Sequence, residues 1–77
     1  MKESDAFVEV RIRERLAHAR NKHPDWEGKG INWAMGALLD EIDELDKAIS
    51  HEGEKRAVDE ALDVIAVAFR IVRREYE

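Results

Sequence analysis

The chain has 77 residues, of which 40% are charged, and it carries a formal net charge of −5 and no cysteine. This length predicts a single domain, residues 1–77, and the lack of cysteine excludes a disulfide framework or a thiolate metal site. The acidic balance argues against a nucleic-acid partner, because neutralising phosphates requires an excess of Lys and Arg.

The positions of apolar residues, proline and glycine predict three helices. The first helix spans about 4–22 and stops before Pro24, because a proline disfavours helical geometry in the residue that precedes it. The second spans about 31–50, and the third, after a tight turn at Gly53, spans about 54–75. No segment alternates apolar and polar residues over the length of a strand, so the sequence predicts an all-α fold.

The apolar residues of the first and third helices cover more surface than one chain can bury. Apolar side chains surround well over half of the third helix, whereas a surface helix needs an arc of only about 100°. We therefore expect an antiparallel bundle of three main helices that is completed by self-association into a homodimer or homotetramer. The predicted bundle-core positions of the third helix include Val67, Phe69 and Ile71.

No apolar run approaches the roughly 20 residues that cross a bilayer, so we expect a cytoplasmic protein without a membrane partner.

An acidic run occupies residues 40–46, where five of the seven side chains are carboxylates. Such a run is commonly a solvated face, but here the carboxylates flank or interrupt apolar stripes. At about 100° per residue, Glu41 lies at the centre of an apolar arc of the second helix. On the third helix, Glu60 lies between Val64 and Val67. These positions favour a functional carboxylate cluster over a solvated face.

The register of the second and third helices brings four carboxylates to one level. Helices joined by a short turn are antiparallel neighbours, so Glu44 faces Glu60 and Glu41 faces Asp63, about 12 Å from the turn at about 1.5 Å per residue. Clustered carboxylates stay partly protonated unless a cation lies among them. Oxygen ligands without Cys or His select a hard ion, so the cluster predicts bound Mg²⁺, with Mn²⁺ as a substitute.

The same carboxylates carry a family resemblance. Glu41-Ile-Asp-Glu44, followed after fifteen residues by Glu60-Ala-Leu-Asp63, resembles the ExxE…ExxD signature of the MazG-like, all-α NTP pyrophosphatase superfamily. The likeness covers roughly residues 33–74. One departure is Asp40, where many members have glutamate.

The resemblance implies that the protein hydrolyses a nucleoside triphosphate, NTP or dNTP, between the α and β phosphates, giving a monophosphate and pyrophosphate. Such a reaction belongs to nucleotide-pool house-cleaning. The resemblance assigns Glu41, Glu44, Glu60 and Asp63 as metal ligands and catalytic residues, with Glu44 orienting or deprotonating the attacking water. A bound metal would polarise the phosphoryl oxygens and lower the pKa of a water ligand, so no covalent nucleophile is required.

Basic residues near the cluster are candidates for binding the triphosphate. Arg56 and Arg70 fall near the angular position of Asp63 on the third helix, where they either contact phosphate or form ordinary surface ion pairs. Lys47 lies one turn beyond the acidic run, where it either contacts phosphate or relieves the repulsion between carboxylates.

Aromatic and small residues complete the set of candidates. Trp33, at the start of the second helix, either stacks on a nucleobase or anchors the connection 23–30. Trp26, within that connection, is interpreted as an anchor packed on the bundle, and His18 as a surface histidine. Gly36, inside the second helix, costs roughly 1 kcal/mol relative to alanine. We interpret it as permitting close helix approach, and the alternative is that it leaves room for substrate.

Two other functions compete with hydrolysis. A non-enzymatic helical interaction or regulatory module would have a solvated acidic face and would bind no metal with useful affinity, so a magnesium titration separates it from the enzyme. A di-iron carboxylate bundle requires Glu-x-x-His pairs on facing helices. The acidic pairs of this chain end in Glu44 and Asp63 instead, which disfavours the di-iron class.

Overall fold

A computed structural model of the chain describes residues 1–77 and contains three α-helices and no strand. Helix α1 spans Asp5–Lys22, α2 spans Ile31–Lys47 and α3 spans Glu54–Val72. The predicted all-α class is confirmed, and so are the number and order of the helices.

Both ends of α1 follow from local chemistry. The Ser4 hydroxyl accepts a hydrogen bond of 3.2 Å from the Phe7 amide, which satisfies one of the amides that a helix start leaves without a partner. At the other end, the His23 amide still donates to the Ala19 carbonyl, and Pro24 prevents a further helical turn. The predicted limits of this helix are therefore confirmed to within one residue.

The end of α2 differs from the prediction of a continuous helix to residue 50. After Lys47 the chain forms a π-helical turn, Ala48–Glu52, which begins where the fully buried Ala48 shares its amide between the carbonyls of Glu44 and Leu45. The following Gly53 has φ 90°, a conformation that glycine adopts readily. This short connection leads directly into α3.

Helix α3 ends at Val72, three residues earlier than predicted. The Glu75 amide donates to the Arg70 carbonyl at 3.1 Å, and the Arg74 amide donates to the Ile71 carbonyl at 2.9 Å. Arg74 has φ 59°, so these bonds form a Schellman cap with arginine in the position that glycine usually fills. Because the cap reverses the chain, the last residues fold back against the bundle.

Helix α3 is the centre of the molecule. It contacts both α1 and α2, whereas no Cα of α1 lies within 8 Å of a Cα of α2. A cleft with α3 as its floor therefore separates the two outer helices. Trp26 is 1% exposed and packs with Ala34 and Val67 at one end of this cleft, which confirms its interpretation as an anchor of the connection.

Many large apolar side chains remain exposed. Phe69 on α3 is 41% exposed and Val10 on α1 is 53% exposed, so the chain alone leaves substantial apolar surface in contact with water. Val67 and Ile71, which were predicted for the bundle core, pack within the chain. None of the three helices combines the length and apolar character that crossing a membrane requires.

Candidate active site

Three carboxylates from two helices converge beside the cleft. Glu41 of α2 and Glu60 and Asp63 of α3 each present an oxygen that lies within 4.8 Å of the other two. Glu41 is 8% exposed and Glu60 is 4% exposed, so the cluster is largely shielded from water. Both glutamates sit among apolar positions of their helices, which is why packing of α2 on α3 buries them.

Two oxygens of this cluster have no hydrogen-bond partner. Oε2 of Glu41 and Oε2 of Glu60 are both buried and unpaired. Buried carboxylate oxygens without partners are costly, because they lose hydration without compensation. A hard divalent cation with oxygen ligands would compensate both, so the donor set fits Mg²⁺ or Mn²⁺.

The electrostatics of the cluster oppose full ionisation. Burial, followed by the charges of Glu44 and Asp63, raises the pKa of Glu41 to about 7. Burial and the charge of Asp63 also raise the pKa of Glu60, although Arg56 acts in the opposite direction. Near neutral pH the Glu41 carboxyl is therefore protonated in a substantial fraction of the molecules, unless another cation takes the place of the proton.

Glu44 occupies the rim of the cluster. Its side chain is exposed and lies outside the set of three converging carboxylates. It remains close enough for its charge to raise the pKa of Glu41. Of the four carboxylates that the sequence aligned, three thus form the buried cluster and one faces a neighbouring polar cavity.

Two arginines bind the carboxylates of α3. Arg15 of α1 forms a bidentate pair with Asp63, in which Nε donates to Oδ1 and Nη2 donates to Oδ2 at 2.9 Å. Arg56 donates to Oε1 of Glu60 at 2.5 Å. Hydrogen bonding to Asp63 raises the pKa of Arg15 above its usual value. Each arginine therefore supplies positive charge to one of the clustered carboxylates.

A polar cavity of about 410 Å³ opens beside the cluster. No hydrophobic residue lines it. The basic residues around it come from α1, α2 and α3, and Glu44, Glu60 and Asp63 form part of its acidic lining. Because both basic and acidic side chains line the cavity, it suits a polyanion that carries a bound metal ion. The basic residues are Arg15, Lys22, Lys47 and Arg56.

A second cavity, of about 370 Å³, lies in the cleft, and Asp63 borders both cavities. Most of the surface that lines this second, apolar cavity is apolar. Trp26 and Trp33 meet edge to face there, with ring centroids 5.4 Å apart and an interplanar angle of 88°. Trp33 is 42% exposed, so one part of its surface packs and another remains accessible. Glu41 and Asp63 line this cavity too, and the carboxylate cluster therefore adjoins both cavities.

Arg70 is buried and is therefore not a surface arginine. It is 2% exposed, its guanidinium lies 4.1 Å from the centre of the Trp26 ring, and it donates to Glu75 at 2.8 Å and to the Ala19 carbonyl at 3.3 Å. Burial would raise the pKa of Glu75, but hydrogen bonds from Arg20 and Arg70 outweigh it and lower that pKa. The structure thus places Arg70 in the wall of the apolar cavity, bound to the folded-back C-terminal segment.

The interpretation of Gly36 as a point of close helix approach is wrong. A Cβ atom built on Gly36 would meet no heavy atom within 4 Å, and Gly36 lines the apolar cavity. Within the chain, the missing side chain leaves space in the cleft, and no other helix packs against this position.

Sequence reasoning missed the contribution of α1 to the site. Arg15, His18 and Lys22 line the polar cavity, and His18 and Lys22 also line the apolar one. Their spacing of three and four residues places them on one face of a helix, together with Arg11, which pairs with Asp59 at 3.4 Å. The spacing of these basic residues is a signal in the sequence, but it does not show that this face of α1 packs beside the acidic cluster.

Comparison of the chain with protein-family models, with curated proteins and with solved structures finds no match. The function of the cluster is therefore inferred from the residues themselves and from their arrangement.

Proposed function

We propose that the protein is a Mg²⁺-dependent nucleoside triphosphate pyrophosphohydrolase that cleaves an NTP or dNTP of the cytoplasm to the monophosphate and pyrophosphate. The observation that carries the proposal is the convergence of Glu41, Glu60 and Asp63 within 4.8 Å, with two buried oxygens that have no partner. The ExxE and ExxD spacing of these residues and its resemblance to the MazG-like superfamily support the same reaction.

In this proposal the metal ligands are Glu41, Glu60 and Asp63, with Glu44 as a further ligand at the rim. The arrangement requires α2 and α3 to run antiparallel, which is supported by their short connection, Ala48–Gly53, and by their mutual packing. A bound Mg²⁺ would polarise the phosphoryl oxygens and lower the pKa of a bound water. Magnesium usually retains several waters and accepts phosphate oxygens as ligands, which suits a cluster beside an open polar cavity.

Among the protein groups, Glu44 suits the role of proton acceptor. Its carboxylate is exposed to the polar cavity and adjoins Glu41, so it can orient an attacking water without leaving the solvated side. Lys47 and Arg56 line the same cavity and would bind the phosphates by charge-assisted hydrogen bonds. The proposal gives them the task of neutralising the charge that develops on the leaving pyrophosphate.

The apolar cavity is the proposed position of the nucleobase. Trp33 offers an accessible indole surface beside it, and Gly36 leaves space that an alanine would reduce. Aromatic rings bind planar bases by stacking. Arg70 supports this wall through its contact with Trp26 and is not proposed as a phosphate ligand.

The exposed apolar residues support a self-associated enzyme. A monomer rarely exposes so many large apolar side chains on adjoining helices, and a chain of this length has a small core of its own. The proposed assembly is a homodimer or homotetramer in which the exposed apolar surfaces of α1 and α3, including Phe69 and Val10, are covered.

The test is a panel of NTPs and dNTPs incubated with the protein and Mg²⁺, with nucleotides and phosphates separated by ion-exchange chromatography. The proposal predicts a monophosphate and pyrophosphate in equal amounts. Release of orthophosphate and a diphosphate would mean attack at the γ phosphorus and would contradict it. No cleavage of any nucleotide at millimolar Mg²⁺, with the oligomer intact, would favour the non-enzymatic interaction module, for which the exposed apolar surface is the supporting observation.

A further inference from the structure

The contact between Arg15 and Asp63 has a consequence for cation binding. The guanidinium occupies both carboxylate oxygens of Asp63, and Asp63 is one of the three clustered carboxylates. A divalent cation that takes Asp63 as a ligand would place its charge next to that guanidinium. Because the cation and the guanidinium would share one carboxylate and repel each other, cation binding at Asp63 favours the departure of the Arg15 side chain.

The surroundings of Arg15 provide a place for its side chain to go. The side chain is 27% exposed, against 13% for Asp63, so its outer part already reaches solvent. It lines the polar cavity together with Lys22, Lys47 and Arg56. Movement of the guanidinium from Asp63 into this cavity therefore requires a change of side-chain rotamer and no movement of α1.

The charge of the polar cavity depends on the cation in the same way. Four Lys and Arg side chains and four carboxylates line it, which gives a formal charge of zero with His18 neutral. With Glu41, the remaining carboxylate of the cluster, counted as ionised, a bound Mg²⁺ makes the cavity and the cluster together net positive by one charge. The cavity thus attracts a polyphosphate strongly only when the cation is bound, and the released arginine is then free to bind it.

We infer that Arg15 is a phosphate-binding residue that becomes available when a divalent cation displaces it from Asp63. This inference rests on the proposed function for the identity of the substrate, but it concerns binding and needs no turnover. Arg15 and the cation compete for Asp63, whereas Arg15 and the cation cooperate in binding phosphate. The replacement of Arg15 therefore has opposite effects on the two ligands.

The experiment is isothermal titration calorimetry with Mg²⁺ alone, and then with inorganic pyrophosphate at saturating Mg²⁺ or in a chelator. Arg15→Gln is compared with Arg13→Gln, because Arg13 is exposed on the same helix and makes no ion pair. Arg11→Gln is a second control, because it removes the neighbouring pair between Arg11 and Asp59, which lies outside the carboxylate cluster. Circular dichroism of each variant verifies that the helices are intact.

For the wild-type protein we expect pyrophosphate to bind at least about tenfold more tightly with Mg²⁺ than in the chelator. Arg15→Gln should tighten Mg²⁺ binding by about two- to fivefold, the range set by a partly exposed ion pair. The same change should weaken pyrophosphate binding at saturating Mg²⁺ by about tenfold or more, as expected for loss of a charge-assisted bidentate contact. Both controls should leave the two affinities within about twofold of the wild type.

The inference would be overturned if Arg15→Gln bound both Mg²⁺ and pyrophosphate more weakly than the wild type, or if its two affinities did not differ from those of Arg13→Gln. If Arg15→Gln does not fold, Arg15→Lys keeps the positive charge but loses the bidentate fork. Loss of pyrophosphate affinity without loss of Mg²⁺ affinity would then support the inference, and unchanged pyrophosphate affinity would contradict it. Opposite effects in a protein that hydrolyses no nucleotide would support the role of Arg15 and contradict only the proposed function.

Discussion

Arg15 and Asp63, which lie 48 residues apart in the chain, form a bidentate ion pair that joins α1 to the acidic cluster of α3. One helical turn away, Arg11 and Asp59 repeat the same connection at 3.4 Å. Through the Arg15 pair α1 supplies a cation to a site whose carboxylates come from α2 and α3, whereas the Arg11 pair lies outside the carboxylate cluster. The candidate site therefore depends on all three helices, although the acidic motif occupies only two.

Divalent cations should stabilise the fold through the carboxylate cluster. Adding millimolar Mg²⁺ should raise the melting temperature, because an ion that binds only the native state shifts the equilibrium by mass action, about 2.7 kcal/mol at a concentration of 100 Kd. The double variant Glu41→Gln, Glu60→Gln should lose most of this increase. Asp46→Asn, which neutralises an exposed carboxylate of α2, should keep the increase in melting temperature. An Mg²⁺-independent melting temperature of the wild type in differential scanning calorimetry would contradict the convergent metal site.

In a chelator, stability should fall as pH rises toward neutrality. The pKa of Glu41 is raised from 4.5 to about 7 in the folded protein, so the folded state binds more protons than the unfolded state between these values. Its contribution to stability is therefore complete below about pH 4.5 and lost as pH rises through about 7. Chemical denaturation from pH 5 to 8 should show this loss in the wild type and in Asp43→Asn. If the free energy of unfolding of Glu41→Gln falls with pH as steeply as that of the wild type, the attribution of this dependence to Glu41 is wrong.

The carboxylate motif and the helices could be read from the sequence because both depend on local spacing. Apolar periodicity, Pro24 and Gly53 determine where the helices begin and end, and the spacing of Glu41, Glu60 and Asp63 follows from helical geometry. The end of α3 could not be read in this way. Its Schellman cap has arginine at the position with positive φ, and the usual signal, a glycine, is absent there.

Contacts between distant helices were the other feature that the sequence did not reveal. The angular position of Arg70 near Asp63 suited either a phosphate ligand or a surface ion pair, whereas burial against Trp26 and pairing with Glu75 depend on how the C-terminal segment folds back. The role of Arg15 likewise depends on which face of α1 packs on α3. Helical periodicity gives the face of each helix but leaves the pairing of faces undetermined.

Two substitutions at Gly36 should have different effects, one on the stability of the protein and the other on nucleotide binding. Gly36→Ala should stabilise the protein by about 0.5–1 kcal/mol, because alanine is the better helix former and its Cβ meets no atom within 4 Å. Gly36→Leu should instead fill part of the apolar cavity and raise the KM for nucleotide with little effect on kcat. Denaturant titration and steady-state kinetics measure the two effects. Equal KM values for wild type and Gly36→Leu would contradict the placement of the base in this cavity.

The exposed apolar surface of α3 should determine the oligomeric state. Phe69→Glu should shift the protein toward monomer in sedimentation velocity, because it places a charge on a large side chain that is 41% exposed in the single chain and is proposed to be covered in the assembly. Lys55→Glu, at an exposed position near the start of the same helix, should leave the sedimentation coefficient unchanged. A well-folded wild-type monomer at micromolar concentration would contradict the proposed homo-oligomer.

The rate of pyrophosphate formation at saturating Mg²⁺ and nucleotide, measured for the wild type and for alanine variants of the carboxylates, tests the proposed hydrolysis directly. Replacing any one of Glu41, Glu44, Glu60 or Asp63 should lower kcat by about two orders of magnitude or more, the loss expected for a principal electrostatic stabiliser. Glu54→Ala, an exposed residue at the start of α3, should retain the wild-type rate. Monophosphate and pyrophosphate formed at the wild-type rate by Glu60→Ala would contradict the account, because the reaction would then proceed without the buried cluster.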